Sequence, residues 1–152
     1  MPEICSRLFI MKIFLSYAAA DKKWAESLRK MLPVELEGLS GPRKVMVWDP
    51  AIDVEPGENW RLESGKALEE ADAIVVLLSP DSMKSEFVRQ EIEYGLASPH
   101  FRGRVIPVLL KPTKDVPWIL RKMPFIEAGL EWSTTVSRVA DALKKSTAIA
   151  VR

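Results

Sequence analysis

A run in the middle of the chain, Ala73 to Ser79 (AIVVLLS), carries apolar residues on both of its alternating faces. A strand of that kind has to be covered on both sides, which places it at the centre of a parallel sheet flanked by helices. Four more strand candidates surround it in sequence: Lys12 to Tyr17 (KIFLSY), Val45 to Asp49 (VMVWD), Arg104 to Leu110 (RVIPVLL) and a short Pro124 to Glu127. Between them run segments of helical period. Trp24, Leu28, Met31 and Leu32 form one stripe behind an Asp21 cap; Trp60, Ala67, Leu68 and Ala71 form a second; Val88, Ile92, Gly95 and Leu96 a third. The last stripe is Val136, Val139, Ala140 and Leu143, with Ser133 or Thr134 as its cap and Lys144 and Lys145 suited to its C-terminal end. Strict alternation of strand and helix is the mark of an α/β domain. Pro107 cannot donate a ladder hydrogen bond, so the fourth strand is expected to carry an irregularity or to lie toward an edge. Pro112, Pro117 and Pro124 limit the crossover that follows it to a short turn.

At 152 residues and 47% apolar content the chain makes one domain, long enough to bury roughly two-thirds of the surface exposed by the unfolded chain. The 22 Lys and Arg nearly cancel the 21 Asp and Glu, leaving a formal charge of +1. No long-range field draws such a chain toward nucleic acid or an anionic membrane, whereas association with like copies is little opposed. One cysteine, Cys5, and one histidine, His100, supply neither a disulfide nor a zinc-ligand set, so the chain reads as cytoplasmic and metal-free. No apolar run approaches the ~20 residues of a membrane helix. The stretch Leu8 to Tyr17 followed by Ala18-Ala19-Ala20 imitates a cleavable leader, but Lys12 interrupts it and its removal would delete the first strand. Residues 1–11 read as an N-terminal extension or the start of that strand, with Met11 an alternative first residue, and 146–152 as a tail.

Five strands in this alternation fold most simply as a flavodoxin-like sheet of order 2-1-3-4-5 with helices on both faces, whose ligand crevice lies beyond the C-terminal ends of strands 1 and 3. A phosphate-accepting response regulator would need an aspartate at the end of strand 3 and acids after strand 1. Ser79 and Ser16 stand there instead. Glycine-rich phosphate loops are absent as well, since Gly65-Lys66 lacks the preceding glycine and strand of a P-loop.

Three stretches carry a resemblance. Lys12 to Asp21 (KIFLSYAAAD), Val47 to Trp60 (VWDPAIDVEPGENW) and Ala73 to Ile92 (AIVVLLSPDSMKSEFVRQEI) resemble, in order and separation, the landmark boxes of the TIR domain, in the form found in prokaryotes. The resemblance spans residues 12–132 and assigns 12–145 to the domain. It implies an NAD+ glycohydrolase or ADP-ribosyl cyclase, as in many members, or a scaffold for TIR-TIR contacts, as in others. The family's catalytic glutamate lies on the third helix, followed by isoleucine and preceded four positions earlier by an aromatic. Glu91 matches, with Ile92 after it and Phe87 before it. Apart from the family, Phe87, Glu91 and Tyr94 form the stripe adjoining the core stripe of that helix, so an aromatic and a carboxylate share one wall.

The chemistry explains how one carboxylate could suffice. Ordinary glycosides leave through an oxygen that must be protonated, hence the usual two carboxylates. Nicotinamide leaves NAD+ from a pyridinium that is already positive, and departs neutral. A lone carboxylate can then act by stabilising oxocarbenium-like charge on the ribose and holding its hydroxyls. Attack by water gives ADP-ribose; capture by a nucleophile of the same molecule gives a cyclic isomer. Without the family match, Glu91 would read as a solvated helix residue beside Glu86 and Glu93.

By the same resemblance, Phe87 flanks the nicotinamide end of the substrate, while Tyr94 reads as a core aromatic. Asp49 either orients a ribose or stabilises the turn with Pro50. Pro56-Gly57 shapes a loop that in TIR domains borders the active site and docks onto neighbouring copies. Trp60 reads as a core anchor, with Trp48 bordering the pocket; Ser79 and Ser82 read as a strand-end hydroxyl and a helix cap. Tyr17 and Ala18 end the first strand where the substrate is expected. Animal TIR enzymes place two basic residues there, whereas this chain has Ala18-Ala19, so any phosphate contact must come from backbone amides or another cation such as Lys22 or Lys23. The expected substrate set is thus Tyr17, Ala18, Trp48, Asp49, Gly57, Ser79 and Phe87 around catalytic Glu91. NAD+ enters as substrate, with no further cofactor.

The function implied is cleavage of the nicotinamide-ribose bond of NAD+ in prokaryotic anti-phage signalling, with self-association through TIR-TIR contacts and a separate sensor or effector protein as partners, and no nucleic acid or membrane. The alternative is a non-catalytic interaction module. A third reading, a nucleoside-processing transferase on a similar sheet, is opposed by the long Val47 to Trp60 box.

Overall fold

The computed structural model describes residues 10–40, 44–49 and 53–148. Most of the N-terminal extension, Cys5, Pro50 and the end of the tail lie outside the described residues. Five strands, β1 (Ile10–Ser16), β2 (Lys44–Trp48), β3 (Ala73–Leu78), β4 (Val105–Leu109) and β5 (Ile126–Glu127), pair in parallel in the order β2-β1-β3-β4-β5. This is the order the alternation predicts. The strands begin or end one or two residues away from their apolar runs, and Ile10 and Met11 belong to β1 rather than to a separate extension.

Every residue of β3 is buried, because helices cover both faces of the sheet. Met11, Ile13, Leu15, Val75 and Leu77 pack against α1 (Lys22–Ser40) and α6 (Trp132–Ala148). Phe14, Ile74, Val76 and Leu78 pack against α2 (Trp60–Glu70) and α4 (Glu86–Ala97). Two short helices, α3 (Pro80–Lys84) and α5 (Trp118–Lys122), complete the connections. The Trp132 indole donates to Ser27 Oγ at 2.7 Å and its ring lies 4.7 Å from that of Trp24, which ties α6 to α1.

Local chemistry departs from expectation in three places. Pro107 sits in a regular β4 that is not an edge strand. The amide of Leu110 bonds to β3 and the carbonyl of Leu109 to Ala128, so odd-numbered residues of β4 turn their nitrogens toward β5, whose pairing begins only at Val108. Pro107 therefore removes no ladder bond. Second, α6 begins at Trp132, so Ser133 and Thr134 lie inside its first turn instead of capping it. Third, the helix after β3 is two helices. Ser79 caps α3 in a reciprocal capping box with Ser82, and Ser85 ends α3 and caps α4 through its side chain to Val88 N–H.

Candidate active site

Strand alternation decides which side chains reach the site. Ile13 and Leu15 face α1 and α6, so Phe14 and Ser16 face α2 and α4. On α4 the buried stripe is Val88, Ile92 and Gly95. Gly95 allows close approach to the sheet: a Cβ there would lie 2.7 Å from Ile74 Cδ1 and 3.3 Å from Val105 Cγ2. One turn before Gly95, Glu91 is thereby held against the C-terminal end of β1. The Ser16 hydroxyl donates to its Oε1 at 2.8 Å, joining residues 75 positions apart.

Burial pushes the Glu91 carboxyl up to about 7, while the hydrogen bond from Ser16 opposes that rise by favouring the charged form. Near neutral pH the group is divided between acid and carboxylate, and a cationic ligand beside it would draw out the proton. That poise is typical of groups that handle charge or protons.

Beyond Glu91 a cleft of about 340 Å³ opens between α2 and α4. Trp60, Arg61, Ser64 and Leu68 line it from α2; Phe87, Glu91 and Tyr94 line it from α4. The volume falls at the lower end of small-molecule pockets, enough for half a dinucleotide. Trp60 meets Phe87 edge to face with ring centroids 4.5 Å apart, and the Arg61 guanidinium lies 4.7 Å from the Phe87 centroid. Trp60 and Tyr94 depart from their expected core roles: both are 41% exposed. The reason for Trp60 is its place on the first turn of α2, whose buried residues are Ser64 and Leu68. Tyr94 turns its edge to Phe101 and borders the opening.

The other expected residues lie elsewhere. Tyr17 packs on the α1 side of the sheet and donates its hydroxyl to buried Asp49 at 2.5 Å. Burial, then the Asp49 contact, pushes the Tyr17 phenol far above its ordinary range, so it stays protonated as a donor. Asp53 accepts from the Asp49 amide at 2.8 Å and pairs with Arg29 at 3.6 Å, which anchors the start of the strand-2 loop. Trp48 stacks on Phe14, centroids 5.2 Å apart, and lines a separate hollow of about 200 Å³ with Lys12, Glu63 and Glu70. Ser79 is buried and donates to Asp21, while Ala18 is buried before the 3₁₀ turn Ala19–Asp21. Gly57 adopts φ +91°, a turn conformation that a side chain would strain. Of the cations suggested for phosphate, Lys22 pairs with Glu26 at 3.8 Å and Lys23 lies over Trp24.

The structure thus brings Glu91 and Phe87 together with Ser16, Trp60, Arg61, Ser64 and Tyr94, of which only Glu91 and Phe87 were expected to contact substrate. The signal for Ser16 was its parity with Phe14; for Arg61 and Ser64 it was their spacing of three on one helix face. Among the described residues no group of three or more His, Cys, Asp or Glu is placed to hold a metal ion. No helix among them is long and apolar enough to cross a membrane.

Comparison with known proteins agrees with this architecture. The family model described as the TIR domain matches residues 13–145. The fold is similar to the TIR domain of the Toll-related receptor TRR-2 from the lower metazoan Hydra magnipapillata, with 21% identity and a TM-score of 0.61 over 92% of this chain and 97% of that one. It is also similar to the TIR domains of the activated Roq1 resistosome, with 18% identity and a TM-score of 0.51 over 91% of this chain and 84% of that one. No curated protein matches it in sequence.

Proposed function

This chain belongs to the TIR domain family, and we propose that it is a member that cleaves the bond between nicotinamide and ribose in NAD+. The observation that carries the reading is a part-buried carboxylate, Glu91, held by Ser16 and facing a cleft walled by Trp60 and Phe87. The family includes NAD-cleaving enzymes, and the sequence around Glu91, with Phe87 before it and Ile92 after it, resembles that around their glutamate.

Each element has a role in that reaction. The flat faces of Trp60 and Phe87 suit a planar ring, and a pyridinium gains further attraction from their π-electrons until it leaves neutral. As the bond stretches, positive charge moves onto the ribose, and a carboxylate in a partly dry site stabilises it far better than water would. Ser16 fixes which oxygen of Glu91 faces the sugar and keeps the carboxylate form accessible. Water entering the vacated space gives ADP-ribose; an adenine or ribose nucleophile folded back onto C1′ gives a cyclic isomer.

The cleft of about 340 Å³ accommodates the nicotinamide-ribose half, leaving the adenosine half for a neighbouring copy. Self-association through TIR-TIR contacts completes this reading, and the Roq1 resistosome, whose TIR domains are similar in fold, supports it. We further infer cytoplasmic action in prokaryotic anti-phage signalling, with a separate sensor or effector as partner. Incubation of concentrated protein with NAD+, with and without a crowding agent, tests the reading by chromatography. Nicotinamide is the expected product, and its companion peak distinguishes hydrolysis from cyclisation. No release under any assembling condition would favour the non-catalytic scaffold.

A further inference from the structure

Arg61 is the cation that lines the Glu91 cleft among the described residues, and none of them forms an ion pair with it. Other cations among the described residues are engaged: Lys66 pairs with Glu63 at 3.7 Å, Lys12 with Glu70 at 3.5 Å and Arg29 with Asp53 at 3.6 Å. Glu69 borders the same cleft without pairing with Arg61. The guanidinium instead lies over Phe87, the aromatic surface best suited to a cationic ring. One turn along the same helix, the Ser64 hydroxyl is buried in the cleft wall and has no hydrogen-bond partner among the described residues. A buried hydroxyl in that condition is destabilising until something pairs with it.

We propose that Arg61 selects a substrate carrying both a pyridinium and a pyrophosphate, by surrendering the Phe87 face to the first and pairing with the second. This rests on the reading of the cleft as an NAD+ site. One cation replaces another on the ring, so the aromatic contact is conserved. The freed guanidinium, on a long flexible stem, then meets the phosphate oxygens in the bidentate geometry it favours. Ser64, in the cleft wall, offers the entering ligand a hydroxyl that can donate. The arrangement supplies the phosphate contact for which Ala18-Ala19 has no basic side chain, and it favours a ligand with both charges over one that carries the pyridinium alone. A nicotinamide nucleoside, which has no phosphate, displaces the guanidinium without repaying it.

The test compares wild type with Arg61→Ala and Arg61→Lys, using NAD+ and nicotinamide riboside as substrates and ADP-ribose as a calorimetric ligand. Arg61→Ala is expected to raise KM for NAD+ about tenfold with kcat little changed, the loss of one charge-assisted contact. KM for nicotinamide riboside should stay level or fall, and Arg61→Lys should recover part of the loss. Equal effects on both substrates, or none, would overturn the proposal and leave Arg61 a packing partner of Phe87. Should wild type cleave neither substrate, the catalytic reading fails by itself and ADP-ribose binding decides this one. Tighter binding to wild type than to Arg61→Ala upholds the phosphate contact; equal binding or none removes it.

Discussion

The Ser16 hydroxyl and the Glu91 carboxylate meet at 2.8 Å, the last residue of the first strand holding the middle of the fourth helix across 75 positions of sequence. Opposed effects act on that carboxylate: burial favours its protonated form and Ser16 favours its charge. The balance between them sets the charge that Glu91 carries at a given pH.

If the ionised form does the chemistry, kcat/KM should rise with pH, reach half its plateau near 7 and remain level above about 8. The free enzyme governs that ratio, so bound substrate does not move the midpoint. A pH-rate profile for nicotinamide release checks it; a flat profile from 5.5 to 8.5 would contradict the burial argument.

Ser16→Ala removes the one contact that stabilises the charged form. A hydrogen bond to a charged group is worth about 1.5–3 kcal/mol, so the midpoint should move upward by roughly one to two pH units. Activity should then fall about tenfold at pH 7 and recover substantially at pH 9. A fall that is uniform across pH would mean that Ser16 positions Glu91 without tuning it.

Glu91→Gln should stabilise the fold at neutral pH. The carboxyl titrates near 4.5 when unfolded and near 7 when folded, so the native state binds more protons between those values and wild type loses stability as pH rises through them. Below 4.5 both states are protonated and the two proteins should unfold alike. Above 7 the variant should be more stable by about 2–3 kcal/mol, an advantage of several degrees in Tm for a domain of this size. Thermal unfolding at pH 4 and pH 8 tests it.

Gly95→Ala introduces a Cβ 2.7 Å from Ile74 Cδ1. The gain in helix propensity, about 1 kcal/mol, is outweighed by the 1–3 kcal/mol typical of overpacking, giving a net loss near 1 kcal/mol. Because α4 must shift to relieve the clash, the Ser16–Glu91 contact lengthens and activity falls. Adding Ile74→Val removes the offending methyl and should restore both in the double variant.

Much of this molecule was readable before folding. The two-faced apolar run at Ala73 to Leu78 announced a central strand, and its neighbours ordered themselves around it as the alternation requires. Glu91 and Phe87 were legible through the family resemblance, and a helical spacing of four keeps them on one wall. Trp60 and Tyr94 were misread because aromatic residues on a helical stripe usually signal core, whereas these stand at the rim of a cleft whose second wall is another helix. Asp49 and Ser79 were expected at the site by their strand-end positions alone. Strand alternation sends Tyr17 and its partner Asp49 toward α1, and the capping box draws Ser79 inward to Asp21. Arg61 could be seen only once α2 and α4 were set side by side, since its relation to Phe87 spans two elements.

In the reaction proposed above, the Glu91 carboxylate carries out the cleavage. The most direct measurement is the initial rate of nicotinamide release from NAD+ by wild type and Glu91→Gln, at pH 8 and equal concentration under assembling conditions. The variant keeps the side chain's shape and an acceptor for Ser16 while losing the charge. A loss of at least a hundredfold, in a protein whose melting temperature is unchanged or raised, is the expected result. Release at the same rate from both proteins would contradict the claim and remove Glu91 from the reaction.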